Sequence, residues 1–241
     1  MSIAKRAEHM SKLMSRYSQR PFYNKFRDAY LEADDFTSFD ADDDYTVTDI
    51  GSASSTIDVI DGAGGLLEID AVSSTVDKGG QVQHKTETFL PAADKHIIFE
   101  CRCKVTDTIA GVQFFAGLSI LDTTMFASGE NSSTDHVGFE ANATTQAATS
   151  GRLDLVHEDG GTRTSQSTVH TLAEDTYVVL GFFVDGISRI VPLINGVAGT
   201  AVTPSATWTP TEMAATFVCQ EEGGSVDPIT SLDWYYCIQI N

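Results

Sequence analysis

From residue 96 the chain reads His96-Ile97-Ile98-Phe99-Glu100-Cys101-Arg102-Cys103-Lys104-Val105, with apolar and charged side chains alternating at period two. Phe99, Cys101, Cys103 and Val105 fall on one side and Glu100, Arg102 and Lys104 on the other, the pattern of a strand with one face in a core. Further strand-like segments cover 45–50, 56–60, 66–69, 80–89, 112–120, 136–140, 152–157, 162–169, 177–184, 188–194, 214–220 and 232–240. Clusters of Gly, Asp, Asn or Ser separate them. No helical period intervenes. About a dozen short strands at that spacing predict an antiparallel sandwich or barrel. Two dipeptides fix local pairing: Asp185-Gly186 lies between two of these segments and Asn195-Gly196 follows the second. Both favour the positive φ of tight hairpin turns, so a three-strand meander is expected, with Pro192 at an edge or a bulge.

Composition bears on what such a chain meets. It has 241 residues, 41% hydrophobic, with 15 Lys+Arg against 34 Asp+Glu, a formal net charge of −19. That length can bury a substantial core, and the apolar share is too high for a disordered chain. No apolar run approaches the ~20 residues of a membrane span, and no signal peptide is expected at the start. The negative charge argues against nucleic acid and anionic lipid as partners.

The charge is uneven. Residues 1–32 hold seven basic side chains and three acidic ones, while the other 209 residues hold eight basic and 31 acidic. Within the basic segment Ile3, Ala7, Met10, Met14 and Tyr17 recur at helical spacing with Leu13 alongside, and Pro21 stops simple continuation. Aromatics then alternate with charges from Phe22 to Tyr30, as a second short helix or an extended strap. The expected division is therefore a basic arm, residues 1–33, and a β-domain, residues 34–241. A lone amphipathic helix of four turns is marginal in water, so its stripe needs a cover. Two covers compete: its own domain, or another subunit, which the charge break favours. The expected partner-binding residues are Met10, Leu13, Met14, Arg16, Tyr17, Arg20, Phe22, Tyr23, Lys25, Phe26 and Arg27.

Residues 111–118 (Gly-Val-Gln-Phe-Phe-Ala-Gly-Leu), then Asp135-His136-Val137-Gly138-Phe139-Glu140, then the 177–184 strand with its Asp-Gly and Asn-Gly turns, resemble the inner strands of concanavalin A/laminin-G-like jelly rolls. The resemblance spans roughly residues 34–241 and is nearest to versions carried by phage virions as capsid cement, decoration or fibre proteins. It implies an all-β antiparallel sandwich with a basic arm gripping a shell. The resulting expectation is a structural, non-enzymatic cement or decoration protein on the outer capsid surface, made in the host bacterial cytoplasm. Its partners would be the phage major capsid protein and sister subunits in a dimer or trimer. The alternative is a carbohydrate-binding, lectin-like module of a phage fibre.

Chemistry-bearing patterns are sparse. Relatives of this fold include glycanases with a Glu-x-Asp-x-(x)-Glu strand; Glu68 and Asp70 begin such a pattern, but Ala71, Val72 and Ser73 occupy the places of the third carboxylate. Asp40, Asp42, Asp43 and Asp44 concentrate carboxylates without the Gly and Glu of a calcium loop, and read as a solvated turn. Cys101, Cys103, Cys219 and Cys237 lie in apolar runs with no C-x-x-C, and six histidines are scattered, so reduced core thiols, no metal and no cofactor are expected. Trp234 is placed in a core strand.

Overall fold

The computed structural model describes residues 29–240, except 42, 52–53, 61–63, 73–74, 107–108, 110, 124, 127–133, 142–150, 205–207, 210 and 223–226. The expected helix over the first segment and all eleven arm residues named above lie outside the described residues. What is described is built from fifteen strands: β1 (Ala29–Asp34), β2 (Tyr45–Ile50), β3 (Thr56–Ile60), β4 (Leu66–Asp70), β5 (Lys78–His84), β6 (His96–Thr106), β7 (Val112–Ser119), β8 (His136–Ala141), β9 (Arg152–Asp159), β10 (Thr162–Thr171), β11 (Val178–Asp185), β12 (Arg189–Ile194), β13 (Val197–Ala198), β14 (Ala214–Glu221) and β15 (Ile229–Ile240). All pairings are antiparallel. The first sheet runs β13-β12-β11-β6-β15-β4-β3 with β1 also on β15, and the second runs β10-β9-β8-β7-β14-β5-β2.

The alternation seen in the sequence decides which side chains meet between the sheets. Phe99, Cys101, Cys103 and Val105 of β6 point inward beside Leu180, Phe182 and Val184 of β11, and face Phe114, Phe139, Leu155 and Phe217 of the second sheet. Phe99 stacks on Phe182 with centroids 5.0 Å apart, and Phe217 meets Tyr235 edge-on at 5.2 Å. Each fully buried Phe or Leu contributes about 1.5–3 kcal/mol, so this one contiguous core holds the sandwich together. All four cysteines are buried and free.

Turn chemistry follows the sequence. Asn195 and Gly196 take φ of 51° and 78°, as the two-residue hairpin between β12 and β13 requires. Pro192 sits opposite Phe182 near the sheet edge, where, among the described residues, only the two-residue β13 and a bridge from Ile190 to Val202 continue the pairing.

Two elements depart from the reading of the sequence. β1 crosses the expected boundary at residue 33: Ala29 to Asp34 pair with Ile240 to Tyr235 along the upper half of β15, while β4 takes the lower half of the same edge. Glu32 turns inward there. Tyr235 Oη donates to its carboxylate at 3.0 Å, Tyr45 Oη lies 3.1 Å from Tyr235 Oη and 2.7 Å from Asp34, and His84 Nδ1 is 3.4 Å from Glu32. Second, β15 is bulged at Asp233: Leu232 pairs with Cys103 but Trp234 pairs with Arg102. The extra residue reverses the alternation, so Leu232 joins the core and Trp234 points away from it.

Candidate functional site

The outer face of the second sheet carries most of the buried ionisable and amide groups. Over β5, β14 and β7 it is roofed by the segment that follows β7. Met125 N donates to Gln81 Oε1 at 3.0 Å and Asp122 N to Gln83 Oε1 at 3.1 Å, while Gln83 Nε2 reaches Ser119 Oγ at 2.9 Å and Thr216 Oγ1 at 2.8 Å. Ile50, Phe115, Met125, Phe126 and Val218 form an apolar cluster beneath that roof. Gly117 and Gly138 stand opposite each other on β7 and β8, and the Phe115 ring lies across both. A Cβ on Gly138 would come within 2.7 Å of that ring, so glycine is what lets the aromatic lie flat on the sheet.

Over β8, β9 and β10 the same face turns ionic. Glu140 stands opposite Asp154, and His136 opposite Glu158, which in turn faces Arg163. Cross-strand partners share a face, so three carboxyls, an imidazole and a guanidinium are brought together from three strands. Arg163 Nη2 donates to Glu140 Oε2, and Glu140 Oε1 lies 3.9 Å from His136 Nε2. Asp154 accepts from the Thr168 amide at 2.7 Å and lies 3.4 Å from Arg152 Nε.

Burial sets the protonation states. It raises the pKa of Glu140 against the opposing pull of Arg163, and raises that of Glu158 likewise. It lowers His136 to about 4. The neutral imidazole must carry its proton on Nδ1, 2.6 Å from the Thr134 carbonyl, because a carbonyl can only accept. Nε2 is then a bare lone pair 3.9 Å from Glu140 Oε1. His157, also lowered to about 4 by burial, points to the other side, against Trp208 at 4.2 Å. The approach to the cluster is from β9 and β10, where the Arg152 and Arg163 side chains are 34% and 24% exposed while Glu140 is closed.

None of these groups was singled out as a site from the sequence. Glu68 and Asp70, which were weighed there, lie on the first sheet, on β4 opposite Ser231 and Ile229, away from the ionic cluster. Asp40 anchors a local turn, accepting from the Asp43 amide at 2.9 Å. Among the described residues no group of three or more His, Cys, Asp or Glu could hold a metal ion. Part of the signal that could have found the cluster was present: His136 and Glu140 alternate with apolar Val137 and Phe139, and Asp154 and Glu158 fall on one side of a strand whose other side carries Leu153 and Leu155. Only the cross-strand register shows that the two rows meet.

No protein-family model and no curated protein matches the chain. Solved structures do. A β-glucanase from Bacillus licheniformis is 11% identical with a TM-score of 0.60, covering 86% of this chain and 96% of that one. An endo-1,3-β-glucanase from Streptomyces sioyaensis is 13% identical with a TM-score of 0.59, covering 93% and 99%. A protein of unknown function from Shewanella oneidensis is 10% identical with a TM-score of 0.62, covering 92% and 95%. Glycoside hydrolase family 16 enzymes from Bacteroides ovatus share the fold at 12% identity and a TM-score of 0.59. These likenesses support the jelly-roll architecture and correct the functional expectation drawn from it. The expected non-enzymatic role as a phage capsid cement or decoration protein rested on a resemblance of fold, and the solved structures of stated activity named above are glycoside hydrolases and not capsid proteins, so that expectation is withdrawn. At such identities the likeness establishes one thing for this chain: the two-sheet antiparallel jelly roll.

Proposed function

We propose that the chain is a carbohydrate-active domain in which a polysaccharide approaches over β9 and β10 and meets the ionic cluster on the outer face of the second sheet. The observation that carries this reading is the pairing of Glu140 with Asp154 across β8 and β9, with Arg163 bound to the first and Arg152 beside the second. Directly opposed residues are neighbours on one face of the sheet, so the two carboxyls can act as a pair on one glycosidic bond, as glycoside hydrolysis requires. Glu140, its pKa raised by burial, is the group suited to giving a proton to the leaving glycosidic oxygen, for which the partly exposed Arg163 side chain that closes it must swing aside. The Asp154 carboxylate, held by the Thr168 amide and Arg152, is suited to attack the sugar carbon from the facing strand. The glucanase structures that share the fold make β-glucan the first substrate class to try.

The test is reducing-end release from mixed-linkage and β-1,3-glucan by wild type, Glu140→Gln and Asp154→Asn, with affinity electrophoresis on the same polymers. The expected result is cleavage by wild type and a loss of about 10²-fold or more in each variant. Retardation without cleavage keeps the carbohydrate reading and removes the reacting pair. Neither cleavage nor retardation on these and on mucin-type glycans removes the reading altogether.

A further inference from the structure

The register row that holds the Glu140–Asp154 pair is not open across the whole second sheet. From Asp154 and Glu140 it continues to Phe115, Val218, Gln81 and Thr48, on β7, β14, β5 and β2. Cross-strand partners share a face, so a polymer crossing the strands along this row would pass over each in turn. Beyond Glu140 it would meet residues 120–123 and 125–126, in the segment that follows β7. Phe126 abuts the Phe115 ring, with centroids 6.4 Å apart and planes at 76°. Phe115 is the direct partner of Glu140, so the segment makes its first contact with the row one strand beyond that carboxyl, about 4.8 Å away.

The segment is fastened through its backbone, by bonds that lie wholly among the described residues. Gln81 Oε1 accepts from the Met125 amide at 3.0 Å, and Gln81 Nε2 donates to the Asp122 carbonyl. Gln83 Oε1 accepts from the Asp122 amide at 3.1 Å, and Gln83 Nε2 donates to the Ile120 carbonyl at 3.0 Å. Each glutamine thus uses both halves of its amide on the segment, which fixes the path of the chain whatever its own side chains do. At the outer end Leu121 N donates to Glu87 Oε1 at 2.6 Å. At the inner end Thr134 Oγ1 donates to the Asp122 carboxylate, and the Thr134 carbonyl is the partner of His136 Nδ1. The fastened segment is therefore tied directly to the ionic cluster.

We propose that this segment is an end wall, and that the site acts on the reducing ends of its polysaccharide, releasing one sugar at a time. The inference rests on the carbohydrate reading and on the roles given there to Glu140 and Asp154. An Asp154 oxygen bonds to the anomeric carbon while the bond from that carbon to the glycosidic oxygen breaks, and the Glu140 proton passes to the departing oxygen. Water then displaces Asp154 from the carbon and returns a proton to Glu140. Along the row Glu140 stands between Asp154 and the wall, so the departing sugar lies on the wall side. One strand spacing there admits a single ring, and the remainder of the polymer extends over β9 and β10.

The test follows the first products from hexasaccharides of β-1,3-glucan and mixed-linkage glucan that carry oxygen-18 on the reducing-end anomeric oxygen. Wild type is compared with a variant bearing Gln81→Ala and Phe126→Ala together. The expected result is labelled monosaccharide and unlabelled pentasaccharide in equal amounts from wild type, and a several-fold larger share of di- and trisaccharides from the variant. Di- and trisaccharides as the first products of wild type, or an unlabelled monosaccharide, overturn the proposal and leave the carbohydrate reading standing. So does a folded variant with the wild-type product pattern. Should the variant not fold, the wild-type products decide alone. Binding without cleavage, or neither, overturns the proposal by removing the reacting pair on which it rests.

Discussion

The two sheets share a core but present opposite outer faces. The first shows stacked aromatics and aliphatics, with its buried carboxylate Glu100 answered by the Tyr236 hydroxyl at 2.5 Å. The second shows Glu140, Glu158, Asp154, His136 and Arg163 on a polar floor of Gln81, Gln83, Ser119 and Thr216. An apolar face gains free energy from whatever covers it, so it serves attachment. A face of buried ionisable groups costs free energy to assemble, and such groups mark the sites where chemistry is done. The difference divides the molecule into one apolar outer face and one outer face of buried ionisable groups.

The largest expected break in this contrast comes from Arg163→Met. It removes the guanidinium that, among the described residues, is bonded to the fully buried Glu140, and leaves the carboxyl either charged and without that partner or forced to keep its proton. The expected loss of unfolding free energy is about 3 kcal/mol near pH 8 and less at lower pH, since the raised pKa of Glu140 lets the unpaired carboxyl take up a proton as pH falls. Urea titrations at the two pH values check it; equal losses would mean that the ion pair does not matter.

Next comes pH itself. His136 and His157 are lowered from 6.5 to about 4 by burial, so each folds neutral. A base whose folded pKa lies below its unfolded value contributes stability above pH 6.5 and loses it as pH falls toward 4. The loss is on the order of 3 kcal/mol for each fully shifted imidazole. The raised pKa values of Glu140 and Glu158 act in the other direction, losing stability as pH rises from 4.5 through their folded values. His136→Gln should flatten the acid limb of a pH–stability curve measured by thermal melting. A curve unchanged in shape would place the titration elsewhere.

The glycines give the smallest test and the sharpest comparison. Gly138→Ala on the second sheet sets a methyl 2.7 Å from both the Ala116 carbonyl oxygen and the Phe115 ring, neither of which can yield, and should cost about 2 kcal/mol. Gly181→Ala on the first sheet meets Glu100 Cγ at 2.5 Å, part of a chain that can swing, with the Phe99 carbonyl at 2.9 Å, and should cost about 1 kcal/mol. Equal midpoint shifts in chemical denaturation would deny that the second face is the more rigid.

Much of the sandwich was legible because each long strand carries its own alternation: β2 and β3 run over the expected residues, and β6 and β7 differ by one residue. β1 was not legible, since Ala-Tyr-Leu-Glu-Ala-Asp has little strand preference of its own and is drawn out by the open edge of β15. Trp234 lies in a core strand as expected, but the bulge at Asp233, which the sequence does not announce, turns its side chain away from the inter-sheet core. The ionic cluster stayed hidden for a different reason. Its members lie on three strands, and only the pairing of β8 with β9 and of β9 with β10 makes neighbours of Glu140, Asp154 and Arg163. Glu68 and Asp70, the carboxylates that begin a motif on one strand, lie on the other sheet.

The clasp of β1 on β15 has a mechanical consequence. Ala29 and Ile240 are partners at the same end of that ladder, so tension drawn between them opens its bonds one after another, as a zipper does, instead of loading all six pairs in shear. The ladder would peel inward from Ala29 until it met Glu32, where the hydroxyl of Tyr235 and the imidazole of His84 form a catch. A pull on the leading segment would thus be absorbed at this seam, with the sandwich behind it left whole.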